Sequence, residues 1–99
     1  MSYRVWIDPS AIAETKATPG NMRQLLKRAM KALATDPRPS DSKELDWPPE
    51  RFQPRRVKIR NWRIIYAVDD ADRWVWVLAV RKRPPYDYGD LAQLLRRIG

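Results

Sequence analysis

The run Trp74-Val75-Trp76-Val77-Leu78-Ala79-Val80 is apolar on both of its alternating faces. A strand of that kind has to lie inside a sheet that other layers cover on both sides. At seven residues it is far too short to span a membrane. In a chain of 99 residues the covering layers must come from very few other elements. With no cysteine, neither a disulfide nor a thiolate metal site can supplement the core. Hydrophobic burial must therefore carry the fold, and a 43% hydrophobic composition with ten aromatic residues is sufficient for one small core.

The covering elements can be read from periodicity. Tyr3-Arg4-Val5-Trp6-Ile7 alternates and is rich in strand formers. Asp8-Pro9 reads as a helix cap with proline at the first helical position, opening a short helix to about Ala17. Pro19-Gly20 breaks it, and Asn21 with Gln24 resembles a capping box for a second helix. There Met22, Leu25, Leu26, Ala29, Met30 and Leu33 form one apolar stripe. Residues 36–54 hold five of the nine prolines, which predicts a long irregular loop pinned by Leu45, Trp47 and Phe52. Two more strands are predicted, one over 55–60 and one over 62–68, with Asn61 in a tight turn between them. Leu91, Leu94, Leu95 and Ile98 then mark a last helix over 90–98. The expected order is β-α-α-β-β-β-α in a single domain spanning 1–99: one mixed sheet with helices over at least one face.

Charge narrows the partners. Twenty basic minus twelve acidic side chains leaves +8. Residues 1–50 contribute 8 basic and 7 acidic groups, while residues 51–99 contribute 12 and 5. That asymmetry points to a polyanion. The absence of histidine and cysteine excludes Ser-His-Asp, Cys-His, zinc-hydrolase and thiol-redox chemistry. Arg56, Lys58 and Arg60 share one face of their strand at about 6.5–7 Å spacing, near that of phosphates in an extended nucleic acid. The same residues also suit the solvated face of an edge strand. Arg81, Lys82 and Arg83 with Tyr86 and Tyr88 could clamp phosphate and stack bases, or form a basic tail with two packed tyrosines. The acids of Asp69-Asp70-Ala71-Asp72 read as a solvated turn, so no metal site is expected. The N-terminal residues carry no apolar signal segment, and the expected setting is cytoplasmic, away from membranes.

The run Arg56-Val57-Lys58-Ile59-Arg60-Asn61-Trp62-Arg63-Ile64-Ile65-Tyr66-Ala67-Val68 resembles the hallmark of the RelE/ParE superfamily of type II toxins. In that hallmark a basic strand leads through a tight turn to an aromatic-Arg pair, two aliphatic residues and a tyrosine. The acidic turn, the strand ending at Val80 and the basic-plus-tyrosine end match the same family. So does the front of the chain through Lys43-Glu44-Leu45. The resemblance implies a small α+β, RelE-like fold, a mostly antiparallel twisted sheet with helices packed on it. It also implies a toxin that cuts mRNA in the ribosomal A site without metal or cofactor and is held inactive by a cognate antitoxin. The alternatives are a ParE-like inhibitor of DNA gyrase and an inactive basic module that binds RNA or the ribosome.

Carried over residue by residue, Lys58 would act as base and Arg63 as the arginine of the transition state. Arg83 would be the second arginine, and Tyr86 or Tyr88 the C-terminal tyrosine. Arg56 sits with Lys58 on the basic strand of the family, and Arg55, Arg60, Arg81 and Lys82, from the two basic clusters, are expected with Arg56 to contact RNA. Three features depart from the family pattern. Arg60 stands where many members have a turn glycine, Pro84-Pro85 replaces a polar spacer, and the 36–54 segment is longer than expected.

Overall fold

A computed structural model describes residues 2–98. Its elements are β1 (Arg4–Ile7), α1 (Pro9–Lys16), α2 (Gly20–Ala32), β2 (Ser42–Glu44), β3 (Gln53–Ile59), β4 (Trp62–Asp69), β5 (Trp74–Lys82) and α3 (Leu91–Leu95). The sheet runs β1-β5-β4-β3-β2, with β1 parallel to β5 and the remaining neighbours antiparallel. Helices cover both faces, as the doubly apolar β5 requires.

Local chemistry accounts for the start of α1. The Asp8 carboxylate accepts from the Ser10 amide (2.8 Å) and hydroxyl (2.7 Å), so α1 starts on a side-chain cap followed by proline. The capping box expected at Asn21 does not form. Instead α2 begins at Gly20 behind Pro19 with no side-chain cap, and the Asn21 side chain accepts from the adjacent Met22 amide (2.9 Å). The 36–54 segment was expected to lack regular structure, yet Ser42–Glu44 adds a three-residue edge strand antiparallel to β3. A strand that short has too little alternation to be seen among prolines. Leu45, Trp47 and Phe52 do pin the segment to the core. The Asp69 and Asp70 carboxylates hold Arg51 and Arg38, so this acidic turn docks the long connection. Arg38 and the Tyr3 hydroxyl together hold the Asp70 carboxyl below its ordinary range.

Two packed clusters lie on the two faces of the sheet. On one, Ala11 of α1 and Met22, Leu26, Met30 and Leu33 of the α2 stripe and its C-cap meet Val57, Ile64, Tyr66, Val68, Val75, Val77 and Val80. On the other, Leu91 and Leu94 of α3 meet Ile65, Ala67, Leu78 and Ala79. A register shift between Ile65 and Tyr66 of β4 lets Leu78 and Ala79 face the same side in succession. Beyond it, Val80 returns to the α1–α2 side and Arg81 to the α3 side. Tyr66, fully buried, donates its hydroxyl to the Pro37 carbonyl (2.7 Å) and so ties the start of the long connection to the core.

Candidate functional site

Strand register decides which basic residues meet. Residues directly opposite one another in neighbouring strands point to the same face. Lys58 stands opposite Arg63, and Arg63 opposite Arg81. One row away, Lys43 stands opposite Arg56, and Arg56 opposite Ile65. Lys43, Arg56, Lys58, Arg63 and Arg81 therefore share the α3 face of the sheet. Arg83, beyond β5, comes to the same side.

A cleft of about 360 Å³ opens there, lined by Lys43, Glu44, Leu45, Asp46, Arg56, Arg63, Arg83 and Tyr88. Among the described residues, Arg56, Lys58, Arg63 and Arg83 form no ion pair. Backbone carbonyls hold three of them instead. Arg56 donates to the Asp41 carbonyl (3.1 Å), and Arg63 to those of Arg60 and Trp62 (both 3.0 Å). Arg83 donates to the Tyr86 carbonyl (3.1 Å), and its guanidinium lies 5.2 Å from the centre of the Tyr88 ring. Each guanidinium has five N–H donors, so one or two carbonyl contacts orient it and leave others for an anion. The arrangement can hold a phosphodiester between cations that approach from three strands and a turn.

The two tyrosines differ in position. Tyr88 lines the cleft. The Tyr86 ring packs in the α3-side cluster, and its hydroxyl donates to Asp90 Oδ1 (2.6 Å). Burial, then that hydrogen bond to a carboxylate, push the Tyr86 hydroxyl well above the ordinary tyrosine range. Burial works to raise the Asp90 carboxyl, but the Tyr86 hydroxyl and the Arg81 guanidinium outweigh it, leaving Asp90 below the usual carboxylate range.

Other residues expected at the site lie elsewhere. Arg55 stands opposite Tyr66 on the α1–α2 face and donates to the Ser42 hydroxyl (2.9 Å). Lys82 stands opposite Trp62, whose side chain packs with the α1–α2 cluster, so Lys82 also faces away from the cleft. In both cases strand alternation sends neighbours of a site residue to the far side. Arg81 has the correct face, but its guanidinium pairs with Glu14 and Asp90. Arg60 does not continue the β3 face: it takes the first position of the two-residue turn at φ 54°, in the left-handed region that favours glycine. Lys58 is beside Arg63 on the right face without lining the cleft. Lys43, Glu44 and Asp46 were not anticipated as site residues, because they arrive on or just after the strand hidden in the proline-rich segment. Among the described residues, no group of three carboxylate, histidine or cysteine side chains is poised around a metal ion.

A family model described as the ParE toxin of the type II toxin-antitoxin system parDE matches residues 7–84. Among solved structures, an archaeal RelE in complex with RelB from Pyrococcus horikoshii OT3 superposes with a TM-score of 0.77 at 21% identity, covering 87% of this chain and 100% of that one. A mutant of the E. coli toxin RelE in the free state gives 0.74 at 24% identity, with full coverage of both chains. The toxin-antitoxin complex RelBE2 from Mycobacterium tuberculosis gives 0.68 at 19% identity, covering 84% of this chain and 100% of that one. At these identities the likeness is one of fold. None of the curated proteins matches the chain.

Proposed function

We propose that this chain, which belongs to the RelE/ParE superfamily of type II toxin-antitoxin toxins, is a ribosome-dependent mRNA endoribonuclease. The observation that carries this reading is the cleft itself. Three arginines without acidic partners, Arg56, Arg63 and Arg83, converge on it with an aromatic ring, Tyr88.

The chemistry requires no histidine. RNA supplies its own nucleophile, the 2′-hydroxyl, so the protein must remove its proton, stabilise charge on phosphorus and let the 5′-oxygen depart. Lys58, directly opposite Arg63 in the sheet, is the proposed base. Arg63 and Arg83 neutralise the equatorial oxygens of the pentacoordinate state, held in place by carbonyls before substrate arrives. Tyr88 stacks on a displaced base, a contact of about 1–3 kcal/mol in single-strand recognition. As the 2′-oxygen bonds to phosphorus the bond to the 5′-oxygen breaks, and that oxygen takes a proton from water, leaving a 2′,3′-cyclic phosphate and a 5′-hydroxyl.

The proposed partner is an antitoxin; several of the structures this chain resembles are RelE–RelB complexes. A groove of about 670 Å³ beside β1, one of the two edge strands of the sheet, fits such a partner. Val5, Ile7, Met30 and Ala34 form its apolar lining, and Lys27, Arg28 and Lys31 its basic rim. An acidic amphipathic segment matches both.

A second reading, inhibition of DNA gyrase, is favoured by the matching family model being that of ParE. Cell-free translation and gyrase supercoiling assays, run side by side with the purified chain, separate the two. Arrested translation with normal supercoiling is the expected result. Arrested supercoiling with normal translation would overturn the RNase reading.

A further inference from the structure

Arg83 and Tyr88 reach the cleft from outside the sheet, on the turn that follows β5. The backbone ties only its start: the Arg83 amide donates to the Asn61 carbonyl (2.7 Å) and the Tyr86 amide to the Lys82 carbonyl (3.1 Å). The side chains beyond are held by a chain of polar contacts that begins on the other side of β5. Strand β1 ends at Ile7, opposite Val77, so the edge of β5 beyond that point has no strand partner. Glu14 of α1 takes its place: one carboxylate oxygen accepts from the Val80 amide (3.0 Å), and the other pairs with the Arg81 guanidinium. Arg81 donates in turn to Asp90 Oδ2 (3.1 Å). The other oxygen, Asp90 Oδ1, accepts from the Tyr86 hydroxyl (2.6 Å).

From Tyr86 the contacts run directly to the cleft. Its carbonyl accepts from Arg83 (3.1 Å), and its ring meets Tyr88 edge-on with centres 4.8 Å apart. The Arg81 guanidinium also lies over the Tyr86 ring, 5.5 Å from its centre. Asp90 is the residue on which this network depends. It stands at the N-cap of α3, where an aspartate ordinarily accepts from a backbone amide of the first turn. Here the carboxylate makes no such bond. Both its oxygens are used on Tyr86 and Arg81 instead.

We propose that Asp90 is a positioning residue for the cleft. It contacts no substrate; through Tyr86 and Arg81 it holds the turn that presents Arg83 and Tyr88 to the phosphodiester. This inference rests on the reading of the cleft as the RNA site.

Two measurements on the intact chain test it. The first is the heteronuclear NOE of the Arg83 Nε–Hε group by NMR in the parent, D90A and Y86F, which needs no catalytic activity. Y86F keeps the packed ring and removes only the hydroxyl, so it remains informative if D90A loosens α3. Both variants are expected to lower the Arg83 NOE towards that of the exposed Arg60 side chain, while the β5 backbone amides keep parent values. An Arg83 group as ordered in both variants as in the parent would overturn the proposal.

The second measurement is a cleavage cycle on ribosome-bound mRNA. D90A is expected to lower kcat on the order of tenfold with little change in KM, the usual scale of misplacing a reacting group slightly. In an R83A background the same change should cost less than about twofold, since the two act through one group. Losses that simply multiply would contradict the assignment. A parent chain that cuts no mRNA would reject the RNase reading, while the NMR arm would still decide whether Asp90 holds Arg83.

Discussion

At the scale of single residues, Arg63 is the best-held cation of the cleft. It is in a ladder on both sides, between Lys58 and Arg81, and two carbonyls of its own hairpin turn orient its guanidinium. Its planar fork can keep those contacts and still meet a phosphate with two parallel donors, which an ammonium cannot. Arg63→Ala is therefore expected to slow single-turnover cleavage by about 10²–10³-fold, the usual cost of removing one preorganised donor from a developing oxyanion. Arg63→Lys should recover only a small part of that loss. Cleavage within about threefold of the parent for Arg63→Ala would remove Arg63 from the mechanism. The residue types of the site were legible in the sequence; their directions were legible only where alternation applied. Arg56 and Lys58 fall on the expected face by strand period. Arg55 and Lys82 were grouped with them by charge and proximity, and strand parity sends both to the opposite side. Arg81 was beyond sequence reading, because its partners Glu14 and Asp90 come from two different helical regions. The choice between Tyr86 and Tyr88 likewise needed Asp90 in place.

At the scale of elements, α2 shows what periodicity can reveal. Its stripe from Met22 to Leu33 was visible without knowing the partner surface, since a 3.6-residue repeat needs only a sheet to pack on. Leu26 is fully buried at the centre of that contact. Leu26→Ala is expected to cost about 2–5 kcal/mol in urea unfolding, the range for a large aliphatic side chain removed from a packed core. Tyr66→Phe removes one hydroxyl and leaves the Pro37 carbonyl without its donor, so the expected loss is about 1 kcal/mol. Equal losses for the two variants would contradict this picture of the core. The last helix was expected over 90–98, and the structure closes it at Leu95 with i→i+3 turns over Arg97 and Ile98. Strand β2 is the opposite case to α2. Three residues between prolines carry no readable period, and only pairing with Arg55, Arg56 and Val57 makes them a strand. Because β2 brings Lys43 and Glu44 to the cleft, one rim of the site was invisible for the same reason that the element was.

At the scale of the whole molecule, the net charge of +8 is distributed by pairing. The acids of the β4–β5 turn, α1 and the α3 cap hold Arg38, Arg51, Arg81 and Arg97 in ion pairs. The cations left without acidic partners include Arg56, Lys58, Arg63 and Arg83, and these gather on one face. The fold thus neutralises these structural arginines and leaves those four cations unpaired on the cleft face, while Lys27, Arg28 and Lys31 rim the separate groove beside β1. If Arg56, Arg63 and Arg83 meet phosphates, the log–log salt dependence of binding to an uncleavable 2′-deoxy analogue should have a slope of about −2. Arg56→Ala should reduce that slope by about 0.7, whereas Arg38→Ala, on the far connection, should leave it unchanged. A salt-independent affinity would contradict a phosphate-reading cleft.

Cleavage of ribosome-bound mRNA by 2′-hydroxyl attack is the activity assigned to this cleft. It can be checked by primer-extension mapping of a translated and an untranslated copy of one message, incubated with the parent chain and with Arg63→Ala. Discrete stops are expected on the translated copy alone, with upstream fragments ending in a 2′,3′-cyclic phosphate and the stops lost with Arg63→Ala. Identical stops on both copies, or stops that persist at parent intensity with Arg63→Ala, would contradict the assignment.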